Sequence, residues 1–117
     1  MELESILAGK DLPTYRELAR YIFYMATGQT FDEKAIDKKS RLIGESANHQ
    51  IYLFYEPDIQ TLKGMALTLD VAEKLPPVKS GRRRMVFAPT KYLDAEYLEK
   101  YKIDFVQLPF EIYQRVA

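Results

Sequence analysis

The first third of the chain spaces its apolar residues at helical intervals. Tyr15, Leu18, Ala19, Ile22, Phe23 and Ala26 fall on one stripe. Thr14 and Glu17 have the spacing of a capping box, Pro13 stands just ahead, and Gly28 is placed to end the helix in a left-handed C′ position. Thr30 and Glu33 repeat the capping spacing. They predict a second, more polar helix with Ala35, Leu42, Ile43 and Ala47 on its buried side, packed on the first through a turn at 28–30.

The period then changes. Residues 51–55 (Ile-Tyr-Leu-Phe-Tyr) form a continuous apolar run that suits a strand covered on both faces. Residues 58–75 read as a helix through Ile59, Leu62, Met65, Ala66 and Leu69, with a break expected near Gly64 and an end at Pro76-Pro77. Residues 85–88 predict a second strand, 93–101 a short helix and 105–108 a third strand, with a turn or extended tail over 110–116. Strand, helix, strand, helix, strand is the order of a parallel sheet with right-handed crossovers. The expectation is a single α/β domain over 1–117: a helical part (1–48) with two amino-terminal helices, then an α/β part (49–117) forming a small, mainly parallel, three-layer-like β-α-β-α-β sheet. Three strands make a small sheet, so the expectation is either a fragment of a longer protein or a sheet completed by a partner, a second copy of the chain included.

Composition narrows the chemistry. The 117 residues are 47% hydrophobic, which excludes a disordered or low-complexity chain. Zero cysteines exclude disulfides, thiolate metal sites and cysteine nucleophiles, and one histidine excludes most imidazole metal sites and hydrolytic triads. No signal peptide or membrane-length apolar run is read, so the expected location is cytoplasmic, with no membrane partner. The 17 Lys+Arg balance the 17 Asp+Glu, so a generally basic surface is not expected. The distribution is uneven: Lys79, Arg82, Arg83, Arg84 and Lys91 occur between Pro76 and Leu93 without an acidic residue. They are the candidate DNA-phosphate contacts, against the plainer role of a solvated loop that keeps a strand end soluble. Strand alternation sends Arg83 to the face opposite Arg82 and Arg84.

Each expected strand ends in a proline step: Glu56-Pro57-Asp58, Ala88-Pro89-Thr90 and Leu108-Pro109-Phe110. Ligands bind beyond the carboxyl ends of strands in open parallel sheets, so Glu56, Asp58, Thr90 and Glu111, with Lys91 and Phe110 beside them, form a candidate polar rim. In the simpler reading proline terminates the strands, while Asp58 and Thr90 cap the following helices. No glycine-rich dinucleotide motif, P-loop or Gly-x-Ser-x-Gly is present. A nuclease metal site is disfavoured because the strand after Pro57-Asp58 carries no charge. His49 reads as a loop or cap residue. The nine tyrosines and six phenylalanines read mainly as core rather than base-stacking groups, with Tyr113 the expected exposed one.

Three stretches carry a resemblance: Ile-Tyr-Leu-Phe-Tyr-Glu-Pro-Asp at 51–58, Met-Val-Phe-Ala-Pro-Thr-Lys-Tyr-Leu-Asp at 85–94, and Ile-Asp-Phe-Val-Gln-Leu-Pro-Phe-Glu-Ile-Tyr at 103–113. Together they resemble the carboxyl-terminal region of type III-like, adenine-modifying site-specific DNA methyltransferases, over about residues 41–113. The Asp-Pro-Pro-Tyr motif for the extruded base and the Phe-x-Gly-x-Gly motif for S-adenosylmethionine are absent, so no catalytic or cofactor residue carries over. The resemblance implies a non-catalytic accessory domain, with no cofactor of its own. S-adenosylmethionine is expected only in a separate catalytic domain or subunit, which is the implied partner alongside DNA. The alternative is a protein-interaction module that completes a sheet or bundle with another subunit and touches no nucleic acid.

Overall fold

The computed structural model of the protein describes residues 12–108. Helix α1 (Tyr15–Thr27) starts with a closed capping box. The Glu17 amide donates to the Thr14 hydroxyl oxygen (3.1 Å), and the Thr14 amide donates to the Glu17 carboxylate (2.9 Å). At its end Gly28 takes φ +70° and its N–H reaches the Tyr24 carbonyl. Only glycine adopts that left-handed angle freely. Leu18, Ala19, Ile22 and Phe23 are buried along the expected stripe.

The second expected helix does not form. A 3-10 turn, Glu33–Ala35, capped by Asp32, stands at its start. Leu42 and Ile43 instead belong to strand β1 (Leu42–Glu45), which pairs antiparallel with β2 (His49–Leu53). Among the described residues, the amino-terminal part is therefore one helix, a 3-10 turn and one strand of the sheet. A helix through 35–47 would hold Gly44 in its interior, at about 1 kcal/mol relative to alanine, and would leave the β2 edge unpaired. In β1, Gly44 has a packing reason: a Cβ there would lie 2.5 Å from Phe23 Cε1, so its absence lets the strand lie against α1. The missed signal is the hairpin-like Ser46-Ala47-Asn48 between two short apolar runs.

Strands β3 (Arg83–Ala88) and β4 (Ile103–Gln107) extend the sheet in the order β1-β2-β3-β4. β2, β3 and β4 are parallel, with His49 opposite Arg83 and Met85 opposite Asp104. The single helix expected over 58–75 is two: α2 (Ile59–Lys63), which Gly64 caps, and α3 (Leu69–Lys74), which Thr68 starts by accepting from the Val71 amide. Between them Leu67 bridges to Lys91 beyond β3, so the segment is drawn into extended pairing. Asp94 caps α4 (Ala95–Lys100), the crossover into β4.

Strand alternation divides the core into two clusters. Ile51, Leu53 and Phe87 face α1 and Leu62 on one side. Tyr52, Val86 and Ile103 face Leu67, Ala72, Leu75 and Leu93 on the other. The molecule is thus an α/β domain whose four-stranded mixed sheet is buried on both faces. Among the described residues, no helix is long and apolar enough to cross a membrane.

Candidate functional site

Lys79, Arg82, Arg83 and Arg84 gather at the amino ends of the parallel strands and are mostly matched internally, whereas Lys91 lies beyond the carboxyl end of β3. Lys79 Nζ lies 3.0 Å from Glu45 Oε1. Arg82 Nη1 lies 3.2 Å from the same oxygen, without hydrogen-bond alignment. Arg83 takes the opposite face, as alternation requires. It donates through Nη1 and Nη2 to Glu99 (3.1 Å each) and through Nε to Asp104. Hydrogen bonds to Glu99 and then Asp104 push the Arg83 pKa up. Burial opposes ionisation of Asp104, but its bonds to Arg83 and His49 outweigh that and hold its pKa below the usual carboxylate value. His49 is therefore not a loop residue: it opens β2, with Nε2 2.8 Å from Asp104 Oδ2.

Arg84 is only 7% exposed. Its guanidinium donates to the Tyr101 carbonyl after α4 and to the Pro76 carbonyl after α3 (2.7 Å), tying both crossovers to β3. Lys91 donates to the Leu93 carbonyl (3.3 Å) and lies 6.0 Å from the Phe105 ring centre. Of the five candidate phosphate contacts, Arg84 is structural and Arg83 is bidentately held. Lys79 and Lys91 project from exposed positions.

The carboxyl ends of the strands form only part of the expected rim. Asp58 caps α2, accepting from the Thr61 hydroxyl (2.6 Å) and amide (3.1 Å), and these bonds lower its pKa. Thr90 does not cap the next helix, which belongs to Asp94. Its carbonyl accepts from the Leu67 amide. Glu111 lies outside the described residues, as do Phe110, Tyr113 and the expected tail.

Glu56 turns to Arg41, whose Nη1 donates to its carboxylate (2.7 Å) and to the Tyr55 carbonyl (2.9 Å). This pair forms one wall of a cavity of about 720 Å³ between the start of α1 and the segment leading into β1. Thr14, Tyr15, Arg16, Glu33, Lys34, Ile36 and Lys38 complete the lining. Tyr15, in its lining, donates to the Leu53 carbonyl (2.7 Å), and behind it Tyr55 donates to the Pro13 carbonyl (2.6 Å), next to the lining residue Thr14. Burial raises the pKa of both, so they remain neutral donors. Arg16, Lys34, Lys38 and Arg41 were invisible as a group because no linear motif joins them. The hairpin that was read as helix brings Arg41 beside the end of β2.

Among the described residues, no group of three histidine or acidic side chains is placed to hold a metal ion. The turns after β2 and β3 contain no glycine, and the Asp58 carboxylate is engaged by its cap. Comparison of the chain with protein-family models, curated proteins and solved structures finds no match.

Proposed function

We propose that the protein is a non-catalytic accessory domain of an adenine-type DNA-modification methyltransferase, with the methyl donor and the chemistry in a separate catalytic domain or subunit. One observation supports the reading: as far as residue 108, the three stretches that resemble the family's carboxyl-terminal region fold as adjacent parallel strands with the turns that leave them. A resemblance spread over unrelated surfaces would carry less weight.

Within this reading, the DNA contacts are narrower than the basic stretch suggests. Lys79, 61% exposed at its side chain and held by a surface pair with Glu45 that exchanges readily, and Lys91 are the residues best placed to meet phosphate. Arg82 contributes by exchanging its loose contact with Glu45, because surface ion pairs are worth about 0–1 kcal/mol. The test is anisotropy of a labelled duplex at rising salt. Binding should weaken with salt, and Lys79→Glu with Lys91→Glu should flatten the log–log slope by about 2, one phosphate contact per lysine. Absence of binding at low salt would remove the DNA role.

A second reading, an interaction module without DNA contact, is favoured by α1, which exposes the large apolar side chains of Tyr24 (55%) and Met25 (50%) in its last turns. It predicts stoichiometric complex formation with a catalytic subunit that Tyr24→Ser with Met25→Ser weakens, together with no salt-dependent DNA binding.

A further inference from the structure

We propose that the cavity at the start of α1 is a binding site for a phosphorylated ligand of mononucleotide size, held by Arg16, Lys34, Lys38 and Arg41. The inference is independent of the methyltransferase reading, and none of the basic stretch from Lys79 to Lys91 lines the cavity.

Charge is the first argument. Among the described residues, four cations and two carboxylates, Glu33 and Glu56, line the cavity, an excess of two positive charges. Lys34 and Lys38 take no ion-pair partner among the described residues. A phosphate monoester near its dianionic form balances that excess. Arg16 meets Glu33 at 3.1 Å, but both side chains are more than half exposed. Such a pair is readily exchanged, and the guanidinium can turn to phosphate oxygens, which it matches bidentately.

Geometry is the second. Arg41 adopts φ +70°, a left-handed angle that an arginine rarely takes. The surroundings hold it there: its amide donates to the Asp37 carbonyl (2.8 Å) and its carbonyl accepts from the Leu53 amide (2.9 Å). With Nη1 anchored on Tyr55 and Glu56, this backbone presents a fixed guanidinium to the cavity while Lys34 and Lys38 remain adjustable. Strained backbone of this kind concentrates at binding sites.

Size and wall chemistry are the third. About 720 Å³ is within the range of small-molecule sites. The Tyr15 ring and Ile36 supply apolar lining for a base or other ring beside the phosphate. The same phosphate chemistry is offered by a free nucleotide and by the backbone of a nucleic acid, and the test separates these sources.

Titration of the full chain with adenosine monophosphate, followed by calorimetry and by amide chemical shifts, should give saturable binding with shifts centred on residues 14–16, 34–38 and 41. Inorganic phosphate should compete. Lys34→Glu and Lys38→Glu, both at exposed positions, should each weaken binding by ~10-fold or more, the scale of a charge-assisted hydrogen bond. Lys79→Glu with Lys91→Glu should leave it unchanged. Competition by duplex DNA at equal phosphate concentration would assign the source to a nucleic-acid backbone; failure to compete would assign it to a free nucleotide. No saturable binding, or binding indifferent to Lys34→Glu and Lys38→Glu, would overturn the proposal. Loss of DNA binding alone, in the Lys79 and Lys91 variants, concerns the methyltransferase reading and leaves this one standing.

Discussion

The two ends of the parallel sheet handle charge in opposite ways. At the amino ends of β2, β3 and β4, Lys79 and Arg82 share Glu45, Arg83 engages Glu99 and Asp104, and buried Arg84 is spent on two carbonyls. At the carboxyl end of β2, cations scattered from Arg16 to Arg41 meet around a cavity whose described lining residues carry an excess of positive charge. The contiguous run of arginines, the most conspicuous charge feature of the sequence, is the better neutralised of the two. Charge density along a chain is no guide to the field outside it, because strand pairing decides which carboxylates stand opposite.

The sharpest way to break this contrast is Arg84→Ala. If Arg84 is a structural stitch, its loss leaves the Pro76 and Tyr101 carbonyls unpaired and a void between β3 and both crossovers. The expected destabilisation is about 3 kcal/mol, read from the urea midpoint at unchanged slope. Arg84→Lys should recover only part of it, since one ammonium does not reproduce the planar fork that spans both carbonyls. A loss below about 1 kcal/mol would mean that the amino end does not depend on this side chain, and that Arg84 is available for another role.

At the opposite end the corresponding stitch is a neutral phenol. Tyr55→Phe removes the donor to the Pro13 carbonyl, which anchors the segment entering α1, and should cost about 1–2 kcal/mol. Tyr15 and Tyr55 also give this end a pH signature. Their folded pKa values are raised by burial, so their contribution is complete below the ordinary tyrosine value near 10 and is lost as pH climbs beyond it. Thermal scans above that pH should show a falling melting temperature, with a smaller fall in Tyr55→Phe than in the parent.

Much of this frame was legible in the sequence, and the illegible parts have physical causes. The capping box at Thr14, the stop at Gly28 and the continuous apolar run that begins at Ile51 are local signals, and the fold obeys them. The strands nevertheless begin earlier than their apolar runs, because His49 and Arg83 open β2 and β3 with side chains directed into an ion network rather than the core. Hydropathy cannot register a strand residue paired by charge. Strand β1 was lost for a related reason: Leu42, Ile43 and Ala47 satisfy helical spacing, whereas Gly44 makes sense only once the Phe23 ring above it is known. With β1 misread, the assembly of Arg41 and Glu56 had no place to be inferred. The candidate rim fared similarly: Asp58 was readable as a cap, but Glu56 needed its partner from the far side of the hairpin.

A smaller effect separates the two ends on the acid side. Asp104 is held below the usual carboxylate pKa by Arg83 and His49, which overcome its partial burial. The folded state therefore resists protonation that the unfolded chain accepts. Its stabilising contribution is present above the ordinary aspartate value near 4 and is lost as pH falls through the lower folded value. Asp104→Asn should flatten the acid limb of the stability profile while leaving the alkaline limb, governed by Tyr15 and Tyr55, in place. An unchanged acid limb would indicate that the network of His49, Arg83 and Glu99 is energetically idle, as many exposed ion pairs are.

The smallest expected effect is the most discriminating, because it compares two tyrosines three residues apart that enter opposite core clusters. Tyr52 and Tyr55 are both fully buried, and burial raises both pKa values. Tyr55 has a 2.6 Å acceptor, whereas the Tyr52 hydroxyl sits near Arg84 without a hydrogen bond, as does Arg84 Nε. A buried hydroxyl with no partner contributes nothing that phenylalanine would lose, and its desolvation is relieved on removal. Tyr52→Phe should therefore lie within about 0.5 kcal/mol of the parent, against about 1–2 kcal/mol for Tyr55→Phe. A cost for Tyr52→Phe equal to that of Tyr55→Phe would mean that Tyr52 and Arg84 do bond in solution. The Arg84 stitch would then extend through the sheet to β2, and the amino end would be held by one connected polar network rather than by separate pairs.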